Sequence, residues 1–211
     1  MMPLGDDNAS VKTVPIVTYI LIAINIIFFL LELSLGEEFI MRWAFVPSRF
    51  LQNPAGEFPT LFTSIFMHAG WGHLIGNMLY LWIFGDNVED NFGKWKYLFF
   101  YLLCGLAATF SQMFFQQGAD MPNLGASGAI AGVLGAYIFM FPRGRVKVAI
   151  GANITAVPAI IAIGFWFFMQ FLSGLGSLSA TSEEGGVAYM AHIGGFVAGL
   201  AMTFLFRNRA N

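Results

Sequence analysis

Residues 125–141 read GASGAIAGVLGAYIFMF, a serine between glycines at the head of an apolar run. From Ala126 to Phe141 the run holds about 16 residues, roughly 24 Å as a helix at 1.5 Å per residue. A bilayer core is about 30 Å thick and takes about 20 residues to cross. A segment this short either thins the bilayer or begins below the membrane surface, beneath a dipping loop shielded by protein or water. Ser127 would then lie inside the membrane boundary but out of bulk lipid.

The rest of the chain has the same character. Of its 211 residues, 57% are hydrophobic and 10% charged, against about 25% charged in soluble domains. So few charges cannot build a water-facing surface, and an all-α integral membrane protein is expected. Apolar segments run at about 14–35, 69–85, 96–116, 126–141, 147–173 and 188–206. They predict a six-transmembrane-helix bundle over 14–206, with a short fourth helix, a short head at 1–13 and a short tail at 207–211. The first segment is too long for a signal-peptide core and lacks a clear small-residue cleavage site, so it is expected to be retained. Cys104 is the single cysteine, which excludes an internal disulfide and a thiolate metal cluster. A net charge of −2 gives no sign of nucleic-acid binding.

Lysine and arginine set the orientation. If the segments alternate, Lys12, Lys94, Lys96, Arg143, Arg145, Lys147, Arg207 and Arg209 share one side, and only Arg42 and Arg49 face the other. Both termini are therefore expected in the cytoplasm. The 36–67, 117–125 and 174–187 connections then face outward. In the first of these, Phe39, Met41, Trp43, Phe45, Phe50 and Leu51 are interspersed with Arg42, Arg49 and Pro47. Such a segment is expected to lie in the outer membrane interface.

Segments two, four and six all enter from outside, which places their polar residues at one depth. His68 and His73 fall near the outer end of segment two, with Asn77 about a turn deeper. Ser127 heads segment four, and His192 lies about a turn into segment six. Polar groups in a bilayer are costly and mark function by default. Gly128 and Gly132 form a GxxxG pair, as do Gly195 and Gly199, and glycine faces let helices approach closely. Gly195 shares a helical face with His192. If segments four and six meet through these glycines, His192 can reach Ser127.

The set is chemically coherent. A serine hydroxyl needs an adjacent base to become a nucleophile, and a neutral imidazole suits that role near pH 7. Candidate oxyanion donors are the Asn77 amide, the His73 ring N–H and the Ser127 backbone N–H. Gly125 and Gly128 allow the backbone at Ser127 to turn sharply and approach a substrate. Asp86, Glu89 and Asp90 fall at the inner end of segment two; Asp120, Glu183 and Glu184 lie in outer loops. No carboxylate is expected at the depth of the histidines, so a Ser–His dyad fits better than a triad. With three histidines in all and no HExxH, no metal site and no cofactor are expected.

With these residues the chain resembles the rhomboid family of intramembrane serine proteases. The matching motifs are Gly125-Ala126-Ser127-Gly128, the stretch from His73 to Asn77, and Ala191-His192-Ile193-Gly194-Gly195 continuing to Gly199. Gly85-Asp86-Asn87-Val88-Glu89 also matches the family's second-helix end. The resemblance implies Ser127 as nucleophile, His192 as general base, and His73, Asn77 and the Ser127 backbone as oxyanion hole. It implies transmembrane protein substrates that enter sideways between the second and fifth helices, and a bacterial inner-membrane location. Phe165-Trp166-Phe167-Phe168 would form a bulky face at that gate. Two places depart from the family. A Trp-Arg pair of the first outer loop is replaced near Pro59-Thr60, so the loop must be anchored differently. An aromatic expected four residues after the serine is Ala131, which leaves Tyr189 or Phe196 to hold His192. Rival readings are a catalytically inactive relative that binds membrane helices, and a small transporter, for which no internal repeat is visible.

Overall fold

The computed structural model describes residues 2–7, 11–116, 118–151, 153–179 and 187–208. In chain order, a strand β1 (Met2–Asp6) precedes the long helix α1 (Ile16–Trp43). Three short helices follow, α2 (Pro47–Gln52), α3 (Pro54–Glu57) and α4 (Thr60–Thr63), then α5 (Trp71–Phe92), α6 (Lys94–Phe115) and α7 (Ser127–Met140). A hairpin of β2 (Arg145–Ile150) and β3 (Asn153–Pro158) leads into α8 (Ala159–Ser179) and α9 (Tyr189–Phe206). Of these, α1, α6, α8 and α9 are long and apolar enough to cross a membrane.

The short helix is the centre of the bundle. α7 has 14 residues, and every one from Gly128 to Tyr137 is buried. It is apolar all round, as a helix enclosed by other helices must be. Its small residues decide how near those neighbours come. A methyl group added to Gly195 of α9 would overlap the Gly128 carbonyl, and one added to Gly199 would overlap the Gly132 backbone. On the α6 side, Gly128 meets Ala108 and Gly132 meets Cys104. The two GxxxG pairs thus face each other backbone to backbone, the approach that lipid-embedded helices favour because dispersion contacts rather than water drive their packing.

Side chains from neighbouring helices fix the heights of two others. Pro15 precedes α1 and its side chain makes no cap hydrogen bond. Glu89 near the end of α5 takes over that role, accepting from Val17 N (2.9 Å), Thr18 N (2.8 Å) and Thr18 Oγ1 (2.9 Å). First-turn N–H groups have no partner within their own helix, so a buried carboxylate there meets both that need and the positive helix end. The same device sets α9: Gln112 of α6 accepts from Ala191 N at 3.0 Å, and Ser111 donates to Met190 O at 2.9 Å.

The connection between α1 and α5 is only partly exposed. Met41, Leu51 and Phe58 are exposed, but Ala44 to Ser48 are buried, including Phe45, which had been expected among the interface residues. Phe45 exchanges two backbone hydrogen bonds with Asn123, and Ser48 N donates to Ala119 O. Arg49 holds the loop together, donating to the Met41 and Ala44 carbonyls and pairing with Glu57 at 3.0 Å. This clamp ties the end of α1 to α2 and α3.

The largest departure from expectation is the span 147–173, which is not one helix. Its first part belongs to an antiparallel sheet of order β1-β2-β3, with Asp6 opposite Val146 and Met2 opposite Ala149. Arg145 and Lys147 point outward while Val146 and Val148 are buried, the period-two alternation of a strand. The head is also not a free tail over 2–6. Asp6 accepts from Asn87 Nδ2 and Tyr137 OH, each at 2.7 Å, and its burial pushes its carboxyl up to about 6. Glu183, Glu184 and Arg209 lie outside the described residues.

The glycine contact makes the bundle sensitive to bulk. Gly199→Leu should destabilise the protein in detergent by at least the ~1–3 kcal/mol that overpacking costs, measured by thermal unfolding. Gly164→Leu, at a glycine with nothing within 4 Å of an added Cβ, should leave it near wild type. Equal melting of both variants would show that α7 and α9 do not depend on this approach.

Candidate active site

Three helix starts converge on one point. His73 is in the first turn of α5, Ser127 opens α7, and His192 is in the first turn of α9. Gly125, at φ 132°, turns the chain into α7, and its N–H donates to Ser64 O at 2.9 Å. Only glycine adopts that backbone readily, and a side chain there would also strike the His73 ring.

His192 Nε2 lies 2.7 Å from Ser127 Oγ, across 65 residues of sequence. Ser127 is half-buried and His192 is 8% exposed. The other ring nitrogen, Nδ1, lies 2.7 Å from Gln170 Oε1 on α8. Trp166, one turn earlier on α8, leans over the imidazole at 5.9 Å between centroids and 35° between planes. Tyr189 meets the imidazole edge-on at 6.5 Å. Phe196, the other expected support, instead stacks on Phe167 at 4.3 Å and backs Trp166 at 6.5 Å. The four-residue aromatic face is accordingly split: Phe165 and Phe168 are exposed, and Trp166 and Phe167 turn inward.

The expected oxyanion donors divide as well. Ala69 N donates to His73 Nδ1 at 3.4 Å, which leaves the ring hydrogen to Nε2; that edge of the ring, Cε1 and Nε2, lies nearest the Gly125 turn. That N–H points toward the space beside Ser127. Ile130 N is bonded to Ala126 O, so the N–H groups of the preceding first-turn residues have no partner within α7. Asn77 is not joined to Ser127. Its Nδ2 donates to His68 Nε2 at 2.9 Å, and the two histidine rings stack edge to face at 5.0 Å. His68 in turn donates its backbone N–H to both oxygens of Glu32 at 3.1 Å. A carboxylate therefore does lie near the level of the histidines, contrary to expectation, but it holds a backbone and not the imidazole of His192.

Sequence reading passed over three residues here: Gln170, Glu32 and the role of His68. Each carried a signal, because each is a polar side chain on or beside an apolar segment, where such groups are costly. Two cavities lie in the bundle, and one of them borders Ser127. One of about 30 Å³ lies beside Ser127, with Ser64, Thr109, Gln112 and Asn123 in its wall. The other, about 290 Å³ and mostly apolar, lies between α5 and α8, walled by Tyr80, Phe84, Phe165 and Trp166 and floored by Pro3 and Val146.

Comparison with known proteins agrees with this architecture. The rhomboid domain family model matches residues 55–209. The chain is 34% identical over 194 residues to rhomboid protease GluP of Bacillus subtilis (strain 168), covering 89% of this chain and 35% of that protein. It is 26% identical over 187 residues to the mitochondrial rhomboid protein 1 of Saccharomyces cerevisiae, covering 86% of this chain and 51% of the relative. It is 26% identical over 196 residues to rhomboid protease GlpG of Salmonella paratyphi A, covering 90% and 62%. The chain thus spans between about a third and two thirds of the length of these relatives. With the family model running from α3 through the last helix, the chain belongs to the rhomboid family.

Proposed function

We propose that this protein is an intramembrane serine endopeptidase that cleaves peptide bonds in or near the transmembrane segments of other membrane proteins. Ser127 is the nucleophile and His192 the general base. The 2.7 Å contact between His192 Nε2 and Ser127 Oγ carries this reading. The relatives named as rhomboid proteases support the same activity. A catalytically inactive helix-binding relative is disfavoured, because such a protein has no need of a serine and histidine held at that distance.

In the proposed reaction, Ser127 Oγ attacks the substrate carbonyl as His192 takes its proton. The oxyanion meets the His73 Nε2–H, the Ser127 N–H and the second amide hydrogen of Asn77, with the positive end of α7 behind them. The Asn77–His68 hydrogen bond fixes the amide so that its remaining hydrogen is presented without reorganisation. The ~30 Å³ cavity beside Ser127 matches the volume of one water, and its polar wall suits the water that releases the acyl-enzyme. A substrate helix would arrive sideways from lipid between α5 and α8, where Tyr80 and Trp166 meet at 6.5 Å.

We read the location as the bacterial inner membrane with both termini cytoplasmic, on the division of lysine and arginine. In whole cells, an impermeant thiol reagent should reach Phe58→Cys and not Ile150→Cys. The opposite pattern inverts the topology.

Purified protein in detergent should label with a fluorophosphonate probe. Ser127→Ala should abolish labelling, and His192→Ala should lose both labelling and cleavage of a membrane substrate while melting normally. Undiminished labelling of Ser127→Ala removes it as nucleophile. Asn77→Ala should lower turnover by the ~10²–10³ typical of one lost oxyanion donor. An unchanged rate assigns Asn77 to packing with His68 alone.

A further inference from the structure

Gln170 is a polar side chain on a helix that faces lipid along much of its length. Phe165, Phe168 and Met169 around it are exposed. Its own amide turns inward and meets the imidazole at 2.7 Å. The contact lies on a fixed face of α8. Trp166, four residues before, covers the same ring. Gly174, four residues after, lies against Met190 and Ile193 of α9, where an added Cβ would come within 3.0 and 3.2 Å.

An amide oxygen has no hydrogen to give, so the contact requires the hydrogen on His192 Nδ1. A neutral ring protonated there holds its lone pair at Nε2, the atom facing Ser127 Oγ. The other tautomer would place a hydrogen between Nε2 and the serine, and the ring could not accept the serine's proton. We propose that Gln170 is a positioning residue for this site: its carboxamide selects the Nδ1–H tautomer of His192 and holds the ring against Ser127. The inference rests on the protease reading and adds a third member to the dyad, an uncharged one.

The proton balance is simple. As the Ser127 Oγ–carbon bond forms, the carbonyl electron pair moves to oxygen and the hydroxyl proton moves to Nε2. The imidazolium keeps Nδ1–H on Gln170 Oε1 and delivers the Nε2 proton to the amine nitrogen as the carbon–nitrogen bond breaks. No proton passes to Gln170. It offers a dipole where a carboxylate would offer charge, so it orients the ring with less stabilisation of the imidazolium. Other groups facing His192 are His73 from α5, Tyr189 on its own helix and Ser127 from α7. Gln112 and Ser111 of α6 engage the backbone beside it.

The test compares wild type, Gln170→Leu and Gln170→Glu in detergent from pH 5 to 9. Fluorophosphonate labelling and cleavage of a fluorogenic transmembrane peptide are both measured. Gln170→Leu should slow both reactions by about 10- to 100-fold, part of the ~10²–10⁴ that a general base contributes. Gln170→Glu should restore the rate at high pH and move the acid limb of the profile up by about one pH unit, because an adjacent carboxylate favours the protonated ring. A purely packing role would not be restored by a charged acceptor in place of the amide. Wild-type rates for Gln170→Leu, or an unmoved acid limb for Gln170→Glu, overturn the proposal. If Gln170→Leu unfolds, the Gln170→Glu profile alone decides. Failure of the wild type to label or cleave instead overturns the protease reading itself.

Discussion

The close approach of α7 and α9 is the constraint on which the rest depends. Gly128 and Gly132 face Gly195 and Gly199 with no side chain between the backbones. Lipid gives no hydrophobic drive to push helices together, so their association depends on how closely backbone atoms can pack. Glycine at 195 and 199, with Gly135 on α7, lets α9 sit near enough to α7 for an imidazole on one to reach a hydroxyl on the other, while Gly128 and Gly132 admit Ala108 and Cys104 of α6. A Cβ at Gly195 or Gly199 would overlap the carbonyl oxygen of Gly128 or Gly132 on α7, so the two backbones would have to separate. The contact is at once packing and site geometry.

Height matters as much as separation. Two helices facing one another bring side chains together only if their ends are level. Here the levelling is done by side chains capping the helices of other segments: Glu89 receives the first turn of α1, and Gln112 receives the first turn of α9. Orphan N–H groups in a bilayer find no water, so these bonds are expensive to lose. They join α5 to α1 and α6 to α9, and so make a tied frame out of helices that could otherwise slide. His73, Ser127 and His192 then occupy first turns at one level, with three positive helix ends directed at the place where negative charge would develop.

The parts that were legible in the sequence share a reason. Long apolar runs, the short fourth segment, and the place of Ser127, His73 and His192 near helix starts are each properties of position along a chain. The glycine spacings were equally plain. The 145–158 hairpin was obscured because the run from 147 onward is apolar enough to pass for part of a span, while the alternation of Arg145, Val146, Lys147 and Val148 is only four residues long. Phe45 read as an interface aromatic, yet it is wholly buried, since composition does not say whether an aromatic faces lipid or protein.

The sequence by itself determined which residues fall at the starts of helices, because apolar runs couple that to position in the chain. Only the tertiary structure decided who meets whom there. Asn77 bonds His68, Glu32 holds the His68 backbone, and Gln170 and Trp166 both meet the imidazole of His192. Those pairings depend on the rotation of each helix about its axis and on its neighbours. A helix apolar on every side, as α7 is, carries almost no mark of its rotation except where its glycines lie.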